Sequence, residues 1–201
     1  MTKKTLLVIN SSPNLTNSIS RALTEHFVES LDGQYHVTYR DLGRNPNPYL
    51  EDETLEAIVS STITTPKAEA TKELLTELVA EFKNADLIVL GAPMYNFTIT
   101  AQLKSYFDHI VRSGLTYGYT SSGPRGLLVD KPVIVLSASG GVYHGSAQDH
   151  LAPYIKTILG FIGIENVHFI VAEGLGMTNA RETSVAKAKA EIDAYVECLL
   201  V

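Results

Sequence analysis

The 201-residue chain is 45% hydrophobic and 19% charged, which suits a single globular domain able to bury well over half of its unfolded surface. Its 16 basic and 22 acidic residues give a net charge of −6, which argues against electrostatic nucleic-acid binding, and the one cysteine, Cys198, excludes an internal disulfide framework and any multi-cysteine zinc site. No apolar run reaches the roughly 20 residues a membrane helix needs, and "MTKKTLLVIN" lacks the long apolar core and cleavage site of a signal peptide, so a cytoplasmic protein with no membrane partner is expected.

Thr5–Ile9, short and apolar, reads as a first strand. Ile19, Leu23, Phe27 and Leu31 then recur every fourth position, the stripe of an amphipathic helix. Tyr35–Arg40 is the second strand. Asp41–Pro66 is too long for a plain connection; it carries prolines at 46, 48 and 66 around one possible helix, Thr54–Ser60. Leu74, Leu75, Leu78, Val79 and Phe82 mark the next long helix, Asp86–Gly91 the third strand, and Leu103, Phe107, Ile110 and Val111 another stripe. A second insertion, Gly114–Lys131, reads as a hairpin-like excursion placed to reach over a ligand. Pro132–Ser137 is the fourth strand, followed by a stripe of Leu151, Tyr154, Ile155, Ile158 and Leu159. Val167–Ala172 is the fifth strand, and Val185, Ala188, Ile192, Tyr195, Val196 and Leu199 close the chain as a helix.

The β-α pattern thus repeats five times. Strands such as "LIVLG" and "VIVLS" are apolar throughout, as expected of a parallel sheet covered by helices on both faces. Five such units fit an α/β, three-layer doubly wound fold with the flavodoxin-like strand order 2-1-3-4-5 better than a six-stranded Rossmann sheet. No repeat or linker marks a boundary, so one domain spanning 1–201 is expected.

In such a sheet ligands sit beyond the carboxyl ends of the strands, where the strand order reverses. The loops there are "SSPNLTNSIS", "APMYNFTITAQ" and "SASGGVYHG". The first offers hydroxyls and helix-start N–H groups with no Lys or Arg before Arg21, a neutral cradle suited to a phosphate monoester; alternatively, Ser18 merely caps the helix. The chain has no G-x-x-x-x-G-K-[ST]. The second loop concentrates flat and apolar groups, one wall of a pocket or local core. The third lets backbone approach a planar ligand. Together they meet the requirements of flavin mononucleotide (FMN).

The strings "SSP" with "SxS" opening the helix, "APMYNFTITAQLKSYFD", "RSGLTYGYTSSGPRGL", "SGG" and "LGFIGIENVHFIVAEG" resemble the FMN-dependent NADH-azoreductase and NAD(P)H quinone reductase family over essentially the whole chain. The resemblance implies that Ser12, Ser18, Ile19 and Ser20 hold the FMN phosphate. Pro93, Met94, Tyr95, Asn96 and Phe97 then meet the flavin ring, with backbone groups near Asn96 and Phe97 at the N5 edge, and Ala138, Ser139, Gly140 and Gly141 meet the pyrimidine end. Some relatives carry arginine where Ser139 stands, so the choice between NADH and NADPH stays open. The implied mechanism is ping-pong: a reduced nicotinamide passes hydride to flavin N5 and leaves, and a quinone or azo compound takes hydride from the same face.

Tyr119 and Phe161 match aromatic rings over the substrate side of the flavin, contributed by both subunits of a homodimer, although Phe161 also fits a core position. Tyr143 and His144 match a pair that stabilises charge on reduced flavin in related quinone reductases; His144 either neutralises or protonates there, or is a loop histidine. The remaining histidines lack ligand spacing, and no metal is expected. Cys198 reads as filler on the last helix. "EGLGMTN", Glu173–Asn179, imitates a G-x-G-x-x-G fingerprint but has Asn179 for its third glycine and no following strand, so it reads as a turn. The rival classes are a one-electron carrier and a non-catalytic FMN-binding module.

Overall fold

The structure, a computed structural model, describes residues 3–60 and 62–200. In chain order the elements are β1 (Lys4–Asn10), α1 (Ile19–Ser30), β2 (Tyr35–Asp41), α2 (Asp52–Val59), α3 (Pro66–Asn84), β3 (Leu87–Pro93) and α4 (Ala101–Ile110). Then follow β4 (Tyr117–Thr120), β5 (Gly123–Gly126), β6 (Val133–Ala138), α5 (Leu151–Phe161), β7 (Val167–Ala172) and α6 (Arg181–Leu200). The five long strands form one parallel sheet in the order β2-β1-β3-β6-β7. With the separate β4-β5 hairpin set aside, that is 2-1-3-4-5, the flavodoxin-like order.

Alternation along the central strands divides the core. Leu6, Val8, Leu87, Val89, Ile134 and Leu136 face α1 and α6, meeting Leu23, Phe27, Ile192 and Val196. Leu7, Ile9, Ile88, Leu90, Val133 and Val135 face α3, α4 and α5, meeting Leu78, Phe82, Leu103, Phe107, Ile155 and Leu159. The central β3 and β6 are buried at every residue, while the edge strands β2 and β7 are only partly so.

Several boundaries differ from those expected. α3 starts at Pro66, far ahead of its apolar stripe, because the Thr65 hydroxyl accepts from the Ala68 N–H and proline suits the first helical position. The insertion helix α2 begins at Asp52 rather than Thr54. Cys198, expected as filler, is exposed on α6. The second insertion is a hairpin, but it docks on the far end of α5. A Cβ on Gly126 would fall 2.2 Å from the Gly163 nitrogen, and Gly163 has φ 100°, so two glycines make this close approach. Among the described residues no helix is long and apolar enough to cross a membrane.

Candidate functional site

Strand order reverses between β1 and β3, and the loops after β1, β3, β6 and β7 converge there. The loop after β1 is pinned from below. The Ser11 hydroxyl donates to the Gly91 carbonyl at 2.8 Å, and the Thr100 hydroxyl, which caps α4, donates to the Ser11 carbonyl at 3.1 Å. A Cβ on Gly43 would meet the Ser12 carbonyl at 2.0 Å, so the loop lies flat on this glycine. Asn14 closes its tip: its Oδ1 accepts from Thr16 N at 3.2 Å and Asn17 N at 3.0 Å. α1 then opens with Ser18, whose Oγ accepts from Arg21 N at 3.3 Å and lies 3.1 Å from Ser20 Oγ. The N–H groups of Ile19 and Ser20, in the first turn, have no intrahelical acceptor.

Arg21 does not enter this cradle. Its guanidinium holds Asp41 at 2.6 and 3.0 Å. Burial pushes the Asp41 carboxyl up, but Arg21 and the N–H groups of Arg44 and Gly43 outweigh it and hold the group below the usual carboxylate range. Ser12, Ser18, Ile19 and Ser20 therefore line a cavity of about 200 Å³ with donors that carry no charge.

The loop after β3 is a two-residue turn. Tyr95 N donates to Thr98 O at 2.9 Å and Thr98 N to Tyr95 O at 3.2 Å. Asn96 and Phe97 between them have φ of 48° and 71°. Positive φ at both central positions is the geometry of a type I′ turn, in which asparagine is at home and phenylalanine costs about 1 kcal/mol or more. The distortion is held from outside: His150 N donates to Phe97 O at 3.1 Å, and the Phe97 ring meets Tyr143 edge-on, with centroids 5.3 Å apart. Asn96, Phe97, Ser139, Gly140, Gly141 and Tyr143 line a cavity of about 300 Å³. Met94, Ser139 and Gly140 line both cavities, which together form one trough.

The Ser139–Gly141 loop is clamped by the turn after β7. Gly174 N donates to Gly141 O, Leu175 N to Ser139 O and Gly176 N to Gly140 O, at 2.9 to 3.1 Å. A Cβ on Gly141 would strike the Tyr143 ring at 2.5 Å, whereas one on Gly140 would point into open space. "EGLGMTN" is thus a turn, and it buttresses the loop beside it.

The remaining sequence candidates are spread out. Pro93 and Ala138 end β3 and β6 at the floor of the cradle. His144 does not line either cavity: its ring stacks on Phe169, and its Nδ1 lies 3.2 Å from Asp149. Tyr119 and Phe161 are linked through Tyr117, whose centroid is 5.8 Å from Tyr119 and 4.6 Å from Phe161, but neither lines the trough of its own chain. The hairpin does not cover the trough of its own chain, because the Gly126–Gly163 contact fixes it against α5.

Three residues escaped the sequence reading. The Glu173 carboxylate accepts from Tyr143 N at 2.9 Å and His144 N at 3.1 Å. Asp149 accepts from Gly145, Leu151 and Ala152 N–H groups and so caps α5. Burial pushes its carboxyl up, but those N–H groups together with His144 leave it below the ordinary value. Arg181, the first residue of α6, lines the serine cradle. The only signal for these was position: Glu173 directly follows β7, Asp149 stands just ahead of α5, and Arg181 opens α6. Among the described residues no group of three or more His, Cys, Asp or Glu is placed to hold a metal ion.

The fold and trough define a flavodoxin-like protein whose candidate site has uncharged hydroxyl and N–H donors at one end and the Asn96–Phe97 turn with the Gly140–Gly141 loop at the other. Residues 4–196 match the Flavodoxin_2 family, described as flavodoxin-like fold. The chain is 44% identical over 192 residues to an FMN-dependent NADH:quinone oxidoreductase of Alcanivorax borkumensis, covering 93% of this chain and 97% of the relative. It is 40% identical over 198 residues to FMN-dependent NADH:quinone oxidoreductase 2 of Pseudomonas putida, covering 94% and 98%. The crystal structure of an FMN-dependent NADH-azoreductase from Bacillus anthracis in complex with FMN matches with a TM-score of 0.89 and 26% identity, covering 98% of this chain and 99% of that one. The chain belongs to the flavodoxin-like family of FMN-dependent NADH-azoreductases and NADH:quinone oxidoreductases.

Proposed function

We propose that the protein is a single-domain, homodimeric FMN-dependent oxidoreductase that takes electrons from NADH or NADPH and delivers them to quinones and aromatic azo compounds. The observation that carries this reading is the trough of two adjoining cavities that share Met94, Ser139 and Gly140. Hydroxyl and N–H donors stand at one end, and the Asn96–Phe97 turn and the Gly140–Gly141 loop stand at the other. These features fit FMN. Ser12, Ser18, Ile19 and Ser20 would hold its phosphate, Pro93 to Phe97 would flank its ring, and Ala138 to Gly141 would meet the ring's polar edge. When bound, FMN supplies a two-electron carrier that works in two half-reactions, ping-pong fashion.

The protein's own work is positional and electrostatic. Among the described residues neither Asn96 N nor Phe97 N makes a hydrogen bond, and both residues line the ring cavity, which leaves these N–H groups free to donate to a ligand. Tyr143, with its N–H held by Glu173, closes one side against water. His144 lines neither cavity, and its contacts with Asp149 and Phe169 favour its reading as a loop histidine over a charge-stabilising one. Tyr119 is 74% exposed at the tip of a hairpin that its own chain does not use, which supports a role above the trough of a second copy. A cavity of about 590 Å³ between Tyr95, the start of α4 and Tyr154 gives that copy a recess to cover.

Purified protein tests the reading. A yellow, FMN-loaded protein that NADH alone bleaches and a quinone recolours establishes the enzyme. Failure to bind added FMN overturns the site. Bleaching that requires a partner protein makes the chain an electron carrier instead.

A further inference from the structure

The serine cradle is neutral, yet a phosphate monoester carries up to two negative charges, in a protein whose own net charge is −6. Neutral donors replace water around such an ion but do not balance its charge. The nearest arginine in sequence, Arg21, is committed to Asp41 and to the Ser12 carbonyl. Of the residues lining the cradle, one is charged: Arg181.

Its place follows from how α6 packs on α1. Asp193 accepts from His26 Nε2 at 2.8 Å and from the Ser30 hydroxyl at 3.0 Å, and Phe27 meets Tyr195 at 6.4 Å. Both helices follow strands of a parallel sheet, so they run side by side with their first turns at the cradle end. Asp193 lies deeper into α6 than its partners His26 and Ser30 do into α1, so at about 1.5 Å per residue α6 starts further out, by up to about 7 Å. Its first residue then overhangs the start of α1. Arg181 is exposed and makes no ion pair among the described residues, unlike Arg21.

We propose that Arg181 is the charged ligand of the cradle, closing over the phosphate held by Ser12, Ser18 and Ser20 and selecting phosphorylated flavin over riboflavin. The inference rests on the FMN reading above and adds a residue to it from the opposite end of the chain. A guanidinium presents a planar fork to phosphate oxygens, and at a rim open to solvent its contribution is partly screened. Hydroxyls and N–H groups set the position of the phosphate; Arg181 sets its charge preference.

The test is fluorescence titration of flavin-free protein with FMN and, separately, with riboflavin, at low and high salt. Arg181→Gln is expected to weaken FMN about tenfold, leave riboflavin unchanged and flatten the salt dependence of FMN binding, with Arg181→Lys recovering part of the loss. Unchanged FMN affinity overturns the proposal. So does an equal loss for both flavins, which would mean that Arg181 only supports the loop. If the unaltered protein binds neither flavin, the FMN reading itself fails, a result distinct from either.

Discussion

Ser18 and Ser20 separate capping from cradling, because only one of them holds the helix. Ser18 Oγ accepts from Arg21 N and so caps α1, whereas Ser20 Oγ, on a residue 1% exposed, bonds among the described residues only to Ser18 Oγ. Removing an N-cap hydroxyl costs about 1 kcal/mol, which in a chain of this length lowers Tm by about 3 °C. Losing a weak hydroxyl pair costs about 0.5 kcal/mol and moves Tm little. Toward the phosphate the two are equal, each supplying one charge-assisted bond of about 1.5 kcal/mol, roughly tenfold in Kd. Ser18→Ala is therefore expected to lower both the melting temperature of flavin-free protein and FMN affinity, and Ser20→Ala to lower affinity almost alone. Thermal melts and FMN titrations on the same preparations give both numbers. If Ser20→Ala leaves the FMN Kd unchanged and Ser18→Ala shifts only the melt, the loop is a helix cap and the cradle does not exist.

Asp149→Asn tests the support of the ring loop. The carboxylate accepts from three N–H groups, so the variant is expected to lose about 1 to 2 kcal/mol at neutral pH, read by thermal melts. Because the folded carboxyl titrates below its ordinary 3.8, its stabilisation is complete above that value and lost as pH falls through the lower folded one. The wild-type advantage over Asp149→Asn should accordingly shrink below about pH 4; a gap constant down to pH 2 would contradict this. Tyr119→Ala is expected to raise KM for quinones while leaving Tm within about 0.5 kcal/mol of equivalent stability and FMN retention unaltered, since the ring is exposed. Loss of FMN instead would place Tyr119 on the cofactor side.

The sheet was legible because its central strands are apolar on both faces, a pattern only a doubly covered parallel sheet needs. The grouping in the loop after β1 was legible for a similar reason: Ser12, Ser18 and Ser20, which line one cavity, stand within one short stretch. What stayed hidden depends on distant chain. The hairpin's seat on α5 is a contact between Gly126 and Gly163, and nothing local to either glycine announces the other. Arg181 reaches the cradle through packing of the last helix on the first, and Glu173 binds N–H groups of a loop some thirty residues earlier in the chain. The turn at Asn96–Phe97 was read as an apolar wall, because phenylalanine at positive φ is a conformation that residue preferences argue against and only the contacts from His150 and Tyr143 sustain.

That turn has an evolutionary corollary. The two donors it offers belong to the main chain, and every residue except proline carries one. On the FMN reading the side chains at 96 and 97 serve the shape of the turn, Phe97 through its contact with Tyr143, and do not hold the ligand themselves, so substitutions that keep the turn can reshape the rim above the ring. Anchorage and selectivity can drift independently across descendants of such a site, the first conserved in backbone geometry and the second written in side chains.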